Sequence, residues 1–200
     1  MKRGLGIIFA GGEASRMGGI SKGDIIIGDK TCFDHAYKVL SQSLDSIALS
    51  TQQWQYNELE TIADYPAVGR GGVAYAVLGC LDWARSHDFD YMVTTPIDTP
   101  FLPHSYADRL IEAYQTYKVS CVYKADERVQ GLHALWSVSE FDTLKDMIVN
   151  KGECKIEALH RHIGSRQLIH EADAKGSFHN INTSENLIAA QKMAANMRTL

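Results

Sequence analysis

Proline is scarce in this chain, 4 among 200 residues, which excludes polyproline segments and stiff Pro-rich linkers. The 4 cysteines, Cys32, Cys80, Cys121 and Cys154, lie far apart with no C-x-x-C pair. That spacing excludes a disulfide framework and a zinc-ribbon ligand set, and reads as reduced, mostly buried thiols. No stretch approaches the roughly 20 apolar residues of a membrane-spanning helix. Met1-Lys2-Arg3 imitates the start of a secretory signal, but the apolar run behind it is interrupted by Gly6 and has no cleavage pattern. The cytoplasm is the expected location. A net charge of −4 leaves no general basic surface for nucleic acid or anionic membrane. Repeats and low-complexity tracts are absent as well.

Two common phosphate signatures are also missing. No glycine is followed by Lys-Ser or Lys-Thr at P-loop spacing, and G-x-G-x-x-G does not occur in the first loop. What stands there is GLGIIFAGGEASRMGGISKGD, residues 4–24. A short apolar run stops at Gly11-Gly12, Gly18-Gly19 follows, and Arg16 and Lys22 flank the second pair. Such a loop lets the main chain approach phosphates closely, with backbone N–H groups as donors. Arg16 adds a planar fork and Lys22 a point charge.

Apolar runs then alternate with segments of helical period, as in stacked βαβ units. Strands are expected at 5–10, 47–51, 89–94, 119–123 and 131–136, with a short edge strand at 167–170. Helices are expected at 33–43, 73–86, 106–117, 138–149 and 153–162. A last helix should run to about residue 196, with Asn182 as N-cap and Glu185 at its third position. Gly79 inside the 73–86 helix costs about 1 kcal/mol relative to Ala. The expected fold is α/β: a three-layer, Rossmann-like, mostly parallel sheet with helices on both faces. One domain is expected over 1–200, more regular in 1–103 than in 104–200.

In such a sheet, ligands settle beyond the C-terminal strand ends. Asp98, in Thr95-Pro96-Ile97-Asp98-Thr99-Pro100, then faces phosphates held by the first loop. Its flanking prolines stiffen the turn. One carboxylate suffices for Mg2+, because phosphates and water complete the octahedron. His160-Arg161-His162 beside Glu157 is read as a solvated basic helix end, since His-x-His on a helix points its rings to different faces.

Three ordered segments resemble nucleotidyltransferases of the molybdenum cofactor guanylyltransferase (MobA) family. Ala10, Gly11, Gly12, Arg16, Met17, Gly18, Gly19, Lys22 and Gly23 fall on its glycine-loop signature. Asp98 lies in a segment similar to its D-x-P-F-[LI]-P motif, and Asn180-Ile181-Asn182-Thr183 in one similar to its terminal N-x-N-T. The resemblance implies a nucleotide-diphospho-sugar-transferase-like fold. It further implies Mg2+-dependent transfer of GMP from GTP to molybdopterin or its molybdenum-loaded form, with release of pyrophosphate. The resemblance also implies molybdenum cofactor delivery proteins as partners. Carried over residue by residue, the backbone of Phe9, Ala10, Gly11 and Gly12 binds nucleotide. Lys22 and Arg16 stabilise the transferring phosphates, and Asp98 holds the metal. Ser50 and either Glu60 or Asp64 hold the nucleoside, while Asn180 and Asn182 belong to the acceptor side.

Three departures bear on ligand choice. Ser21 stands where the family usually has Asp, Asp29-Lys30-Thr31-Cys32 replaces G-K-P-[LM], and Val68-Gly69-Arg70-Gly71-Gly72 replaces G-P-L-A-G. A related transferase using CTP or a sugar phosphate, and a non-catalytic nucleotide-binding relative, are the competing readings. Retention of Lys22 and Asp98 favours catalysis, because binding alone needs neither.

Overall fold

The computed structural model describes residues 2–11, 21–51, 58–66, 72–170 and 176–197. In chain order the elements are β1 (Gly4–Phe9), β2 (Ile26–Ile27), β3 (Lys30–Thr31), α1 (Cys32–Ser41), β4 (Ile47–Ser50), β5 (Glu60–Ile62) and α2 (Val73–Ser86). There follow β6 (Tyr91–Pro96), α3 (Tyr106–Tyr117), β7 (Cys121–Ala125), β8 (Arg128–Ser137), α4 (Phe141–Lys145), α5 (Ile156–His162), β9 (Arg166–Ile169) and α6 (Ser184–Met197). Seven strands form one sheet in the order β5-β4-β1-β6-β8-β7-β9, and β2 and β3 make a separate hairpin. Only β8 runs against its neighbours, so the sheet is mostly parallel as expected.

Strand β1 is apolar along its length because both of its faces are covered. Leu5, Ile7 and Phe9 enter one core with Val77, Cys80 and Leu81 of α2, Phe141 of α4 and Leu159 of α5. Ile8 enters the other with Phe33 and Leu40 of α1 and Leu110 of α3. A third, smaller cluster joins Ile25, Ile27 and Cys32 to Ile181 and to Ala190 of α6. It fastens the last helix onto the β2–β3 hairpin, directly behind Lys22.

Helices α2 and α3 have the expected bounds. Gly79 has a packing reason: a Cβ there would lie 2.3 Å from the Ala63 carbonyl oxygen and 2.7 Å from the Tyr65 nitrogen. Its absence lets α2 press against the segment after β5. Helix α1 begins one residue early, at Cys32, because Thr31 and Asp34 form a reciprocal cap: Thr31 Oγ1 accepts from Asp34 N (3.1 Å) and Asp34 Oδ2 from Thr31 N (2.9 Å).

Elsewhere the chain departs from the expected pattern. Strand β8 extends back to Arg128 and meets β7 through Asp126 and Glu127, both left-handed (φ 50° and 62°). That turn matches the twist of a two-residue hairpin but carries no Asn-Gly or Asp-Gly signal. The helix expected at 138–149 is three pieces: a 3₁₀ turn, α4, and a π-helical turn over Asp146–Asn150. Asp146 fixes that last turn by accepting from Asn150 Nδ2 (2.9 Å) and pairing with Lys151 (2.7 Å).

Candidate active site

Strands β4, β1 and β6 end side by side. Ala10 N donates to the Ser50 carbonyl at 2.9 Å, and Ile97 N to the Phe9 carbonyl at 3.0 Å. The sheet ladder thus uses the Ala10 donor, and the chain leaves the sheet at Gly11, where a Cβ would meet open space. Gly12, Arg16, Met17, Gly18 and Gly19 lie outside the described residues. The chain returns at Ser21, whose hydroxyl accepts from Gly23 N at 3.3 Å and caps a 3₁₀ turn over Lys22–Asp24. Ser21, standing in place of a carboxylate, therefore shapes the turn that carries Lys22.

From this turn Lys22 Nζ donates to Asp98 Oδ2 at 2.7 Å and to Asn182 Oδ1 at 2.5 Å. The three segments singled out in the sequence meet at one ammonium, across separations of 76 and 160 positions. Asp98 follows the end of β6 in a turn where Thr99 Oγ1 donates to the Pro96 carbonyl at 3.1 Å. Asp98 is 8% exposed. Its second oxygen, Oδ1, is buried and has no hydrogen-bond partner among the described residues. Such an orphan costs about 1–3 kcal/mol in the folded state, a cost that a bound cation removes.

The donor chemistry at Asp98 fits a hard divalent ion. Mg2+ takes one or two carboxylate oxygens and fills its octahedron with phosphate and water. Among the described residues no group of three or more His, Cys, Asp or Glu side chains offers an all-protein cage. Cys32 is buried close by, its thiol pushed up to about 12 by burial and further by the Asp98 carboxylate, against the opposing pull of Lys22. It is a packed thiol in its protonated form, and not a nucleophile.

On the other side of β1, Ser50 is buried at the end of β4, and Cys80 of α2 is fully buried in the core beneath. Burial pushes that thiol up to about 12, and Asp64 acts in the same direction. The register of β5 separates the two acidic candidates. Glu60 opens the strand opposite Ala48, away from the ligand edge. Asp64 follows the strand's last residue, Ile62, and lies in the segment that Gly79 lets α2 approach. The Asp64 backbone thus lies against α2 at Gly79, the residue before Cys80, while Glu60 stands at the start of β5 opposite Ala48. Residues 68–71 of the altered glycine loop lie outside the described residues; Gly72 directly precedes α2.

Asn180 and Asn182 are exposed, with Ile181 fully buried between them. Asn182 is not the helix cap. Thr183 Oγ1 accepts from Asn186 N at 3.2 Å, and Asn186 Oδ1 accepts from Asn182 N at 3.3 Å. The cap is displaced by one residue, which releases the Asn182 side chain toward Lys22. In the His160-Arg161-His162 segment, Arg161 and His162 are exposed as expected, and His160 alone turns inward. His160 is 3% exposed, stacked on Trp136 at 3.9 Å between ring centroids, and bonded through Nε2 to the Gly131 carbonyl and through Nδ1 to Ser165 Oγ, both at 2.8 Å. Burial lowers it to about 4, so it is a neutral core histidine. Sequence reasoning missed Ile181, Cys32 and Cys80 as supports of the site; an apolar residue between two asparagines was the only available signal.

A first strand ending at Gly11 in a mostly parallel sheet, with a carboxylate–lysine pair beyond the neighbouring strand end, defines a nucleotidyltransferase type of α/β protein. Comparison with known proteins gives the particular family. The sequence model of the MobA-like NTP transferase domain matches residues 6–168, and the chain belongs to that family. It is 31% identical over 189 residues to a molybdenum cofactor guanylyltransferase of Acidiphilium cryptum, covering 92% of each chain. It is 27% identical over 190 residues to one of Haemophilus influenzae, covering 90% of this chain and 94% of the relative. Among solved structures it resembles molybdopterin-guanine dinucleotide biosynthesis protein A of Archaeoglobus fulgidus, with TM-score 0.75 and 20% identity over 96% of this chain and all of that one. It also resembles 2-C-methyl-D-erythritol 4-phosphate cytidylyltransferase of Thermus thermophilus, with TM-score 0.68 and 14% identity over 98% of this chain and all of that one. At those identities the two structures speak for the fold alone.

Proposed function

We propose that the protein transfers GMP from GTP to molybdopterin or its molybdenum-loaded form, releasing pyrophosphate, with Mg2+ held at Asp98. The observation that carries this reading is the buried, unpartnered Asp98 Oδ1 beside Lys22 Nζ, at the edge where the glycine loop leaves β1. Relatives that match over most of the chain bear the name molybdenum cofactor guanylyltransferase, which supports both substrates.

In this mechanism an oxygen of the acceptor's terminal phosphate attacks the α-phosphorus in line. A new P–O bond forms, the bond from that phosphorus to the α–β bridging oxygen breaks, and pyrophosphate leaves with the electron pair. No covalent enzyme intermediate is needed. The metal, when bound, neutralises phosphate charge. Gly11 and Gly12 let the backbone approach the triphosphate, Lys22 and Arg16 stabilise charge on the transferring group, and the protein holds donor and acceptor in line. Ser50 and Asp64 face the nucleoside; the β5 register favours Asp64 over Glu60. Asn180 serves the acceptor side. Among the described residues no helix is long and apolar enough to cross a membrane.

The test is thermal stabilisation by GTP, CTP, ATP and UTP with and without Mg2+, followed by GMP transfer to molybdopterin. A GTP-selective, Mg2+-dependent shift that vanishes in Asp98→Asn is expected. A CTP-selective shift would overturn the guanylyl assignment.

A further inference from the structure

We infer that Asn182 is the positioning residue of Lys22, so that the segment entering α6 aims the loop cation at the transferring phosphate. The inference rests on the reading above, in which Lys22 serves the nucleotide's phosphates. A lysine side chain is long and rotamer-rich, and an unrestrained one spends little time at the reacting phosphate. Here Nζ is held from two directions, by Asp98 Oδ2 at 2.7 Å and Asn182 Oδ1 at 2.5 Å. An ammonium has three donors, so one remains for a phosphate oxygen.

The framework around this contact is tied together at three points. Ile181 N donates to the Asp98 carbonyl at 2.9 Å, fixing the backbone next to Asn182 onto the backbone of the metal-site residue. The Ile181 side chain is fully buried with Ile25, Ile27 and Cys32, which lie just downstream of Lys22. Thr183 and Asn186 perform the capping, so the Asn182 amide has no local task at the helix start. A neutral amide oxygen also suits the role chemically. It orients the ammonium without cancelling its charge, whereas a second carboxylate beside Asp98 would repel the triphosphate.

A double-mutant cycle read on Mg2+-GTP affinity tests this without requiring the acceptor. Lys22→Ala is expected to weaken binding, and Asn182→Ala to weaken it several-fold in the otherwise native protein. In the Lys22→Ala background the same Asn182→Ala change should have no further effect, because the residue acts through the lysine. Asn182→Ser, too short to reach Nζ yet at home in a turn, should repeat the result if the alanine variant folds poorly. Unchanged affinity in Asn182→Ala or Asn182→Ser, or an equal loss with and without Lys22, would overturn the inference. Native protein that binds Mg2+-GTP but transfers nothing to molybdopterin would overturn the acceptor assignment and leave the cycle interpretable. Native protein that binds no nucleotide would overturn both.

Discussion

Asp98 and His160 are both buried titratable side chains packed against the central sheet, one in a carboxylate turn and one in a His-x-His segment. Asp98 has one oxygen on Lys22 and the other without a partner among the described residues. His160 has both ring nitrogens bonded, to Gly131 and Ser165, and its face against Trp136. Fully satisfied, a buried polar group serves packing. An unsatisfied one beyond the strand ends leaves an acceptor open to a cation or water. The contrast therefore separates site from scaffold without appeal to residue type.

Substitutions can break that contrast, beginning with the largest expected effect. Asp98→Asn keeps the shape and removes the charge; transfer should fall on the order of 10³-fold or more while the protein stays folded. Native-like turnover in that variant would remove Asp98 from the metal site. Lys22→Ala should slow the chemical step by roughly 10²- to 10³-fold in single-turnover experiments; an unchanged rate would assign the lysine to structure. Gly79→Ala probes the scaffold beneath Asp64. Helix propensity favours Ala by about 1 kcal/mol, but the new Cβ meets the Ala63 carbonyl, and overpacking should win with a net loss of roughly 1–3 kcal/mol. A urea midpoint equal to the native one would mean that the segment after β5 yields freely.

Strands β1, β4 and β6 were legible as apolar runs of strand length, whereas β5, only Glu60-Thr61-Ile62, is too short and polar to stand out. The loop, Asp98 and the Asn180–Asn182 pair were legible as motifs. What escaped depends on register or on distant partners. Glu60 and Asp64 look equivalent until β5 is paired with β4, which sets Glu60 opposite Ala48. The Asp126-Glu127 hairpin carries no glycine to announce its left-handed residues. The cap fell on Thr183 because Asn182 had a better partner 160 positions away. His160 read as a surface residue because nothing local reveals Trp136 and Gly131 above and beside it.

The smallest expected effect tests the scaffold side of the comparison. Burial lowers His160 from 6.5 to about 4, and His133, buried in the other core beside Tyr106 and Phe178, to about 3. In each case the unfolded chain takes up a proton below pH 6.5 that the folded protein refuses. The stabilisation is thus complete above pH 6.5 and is lost as pH falls toward the folded value, by up to about 1.4 kcal/mol per pH unit for each histidine. Replacing His160 with Gln keeps a donor for the Gly131 carbonyl but removes the titration. The variant should be less stable at pH 7 by about 1 kcal/mol, and its stability should fall less steeply than the native protein's between pH 6.5 and 4 in urea titrations. Parallel slopes would mean that His160 takes up its proton in the folded state, and that its environment is not the dry, satisfied one that distinguishes it from Asp98.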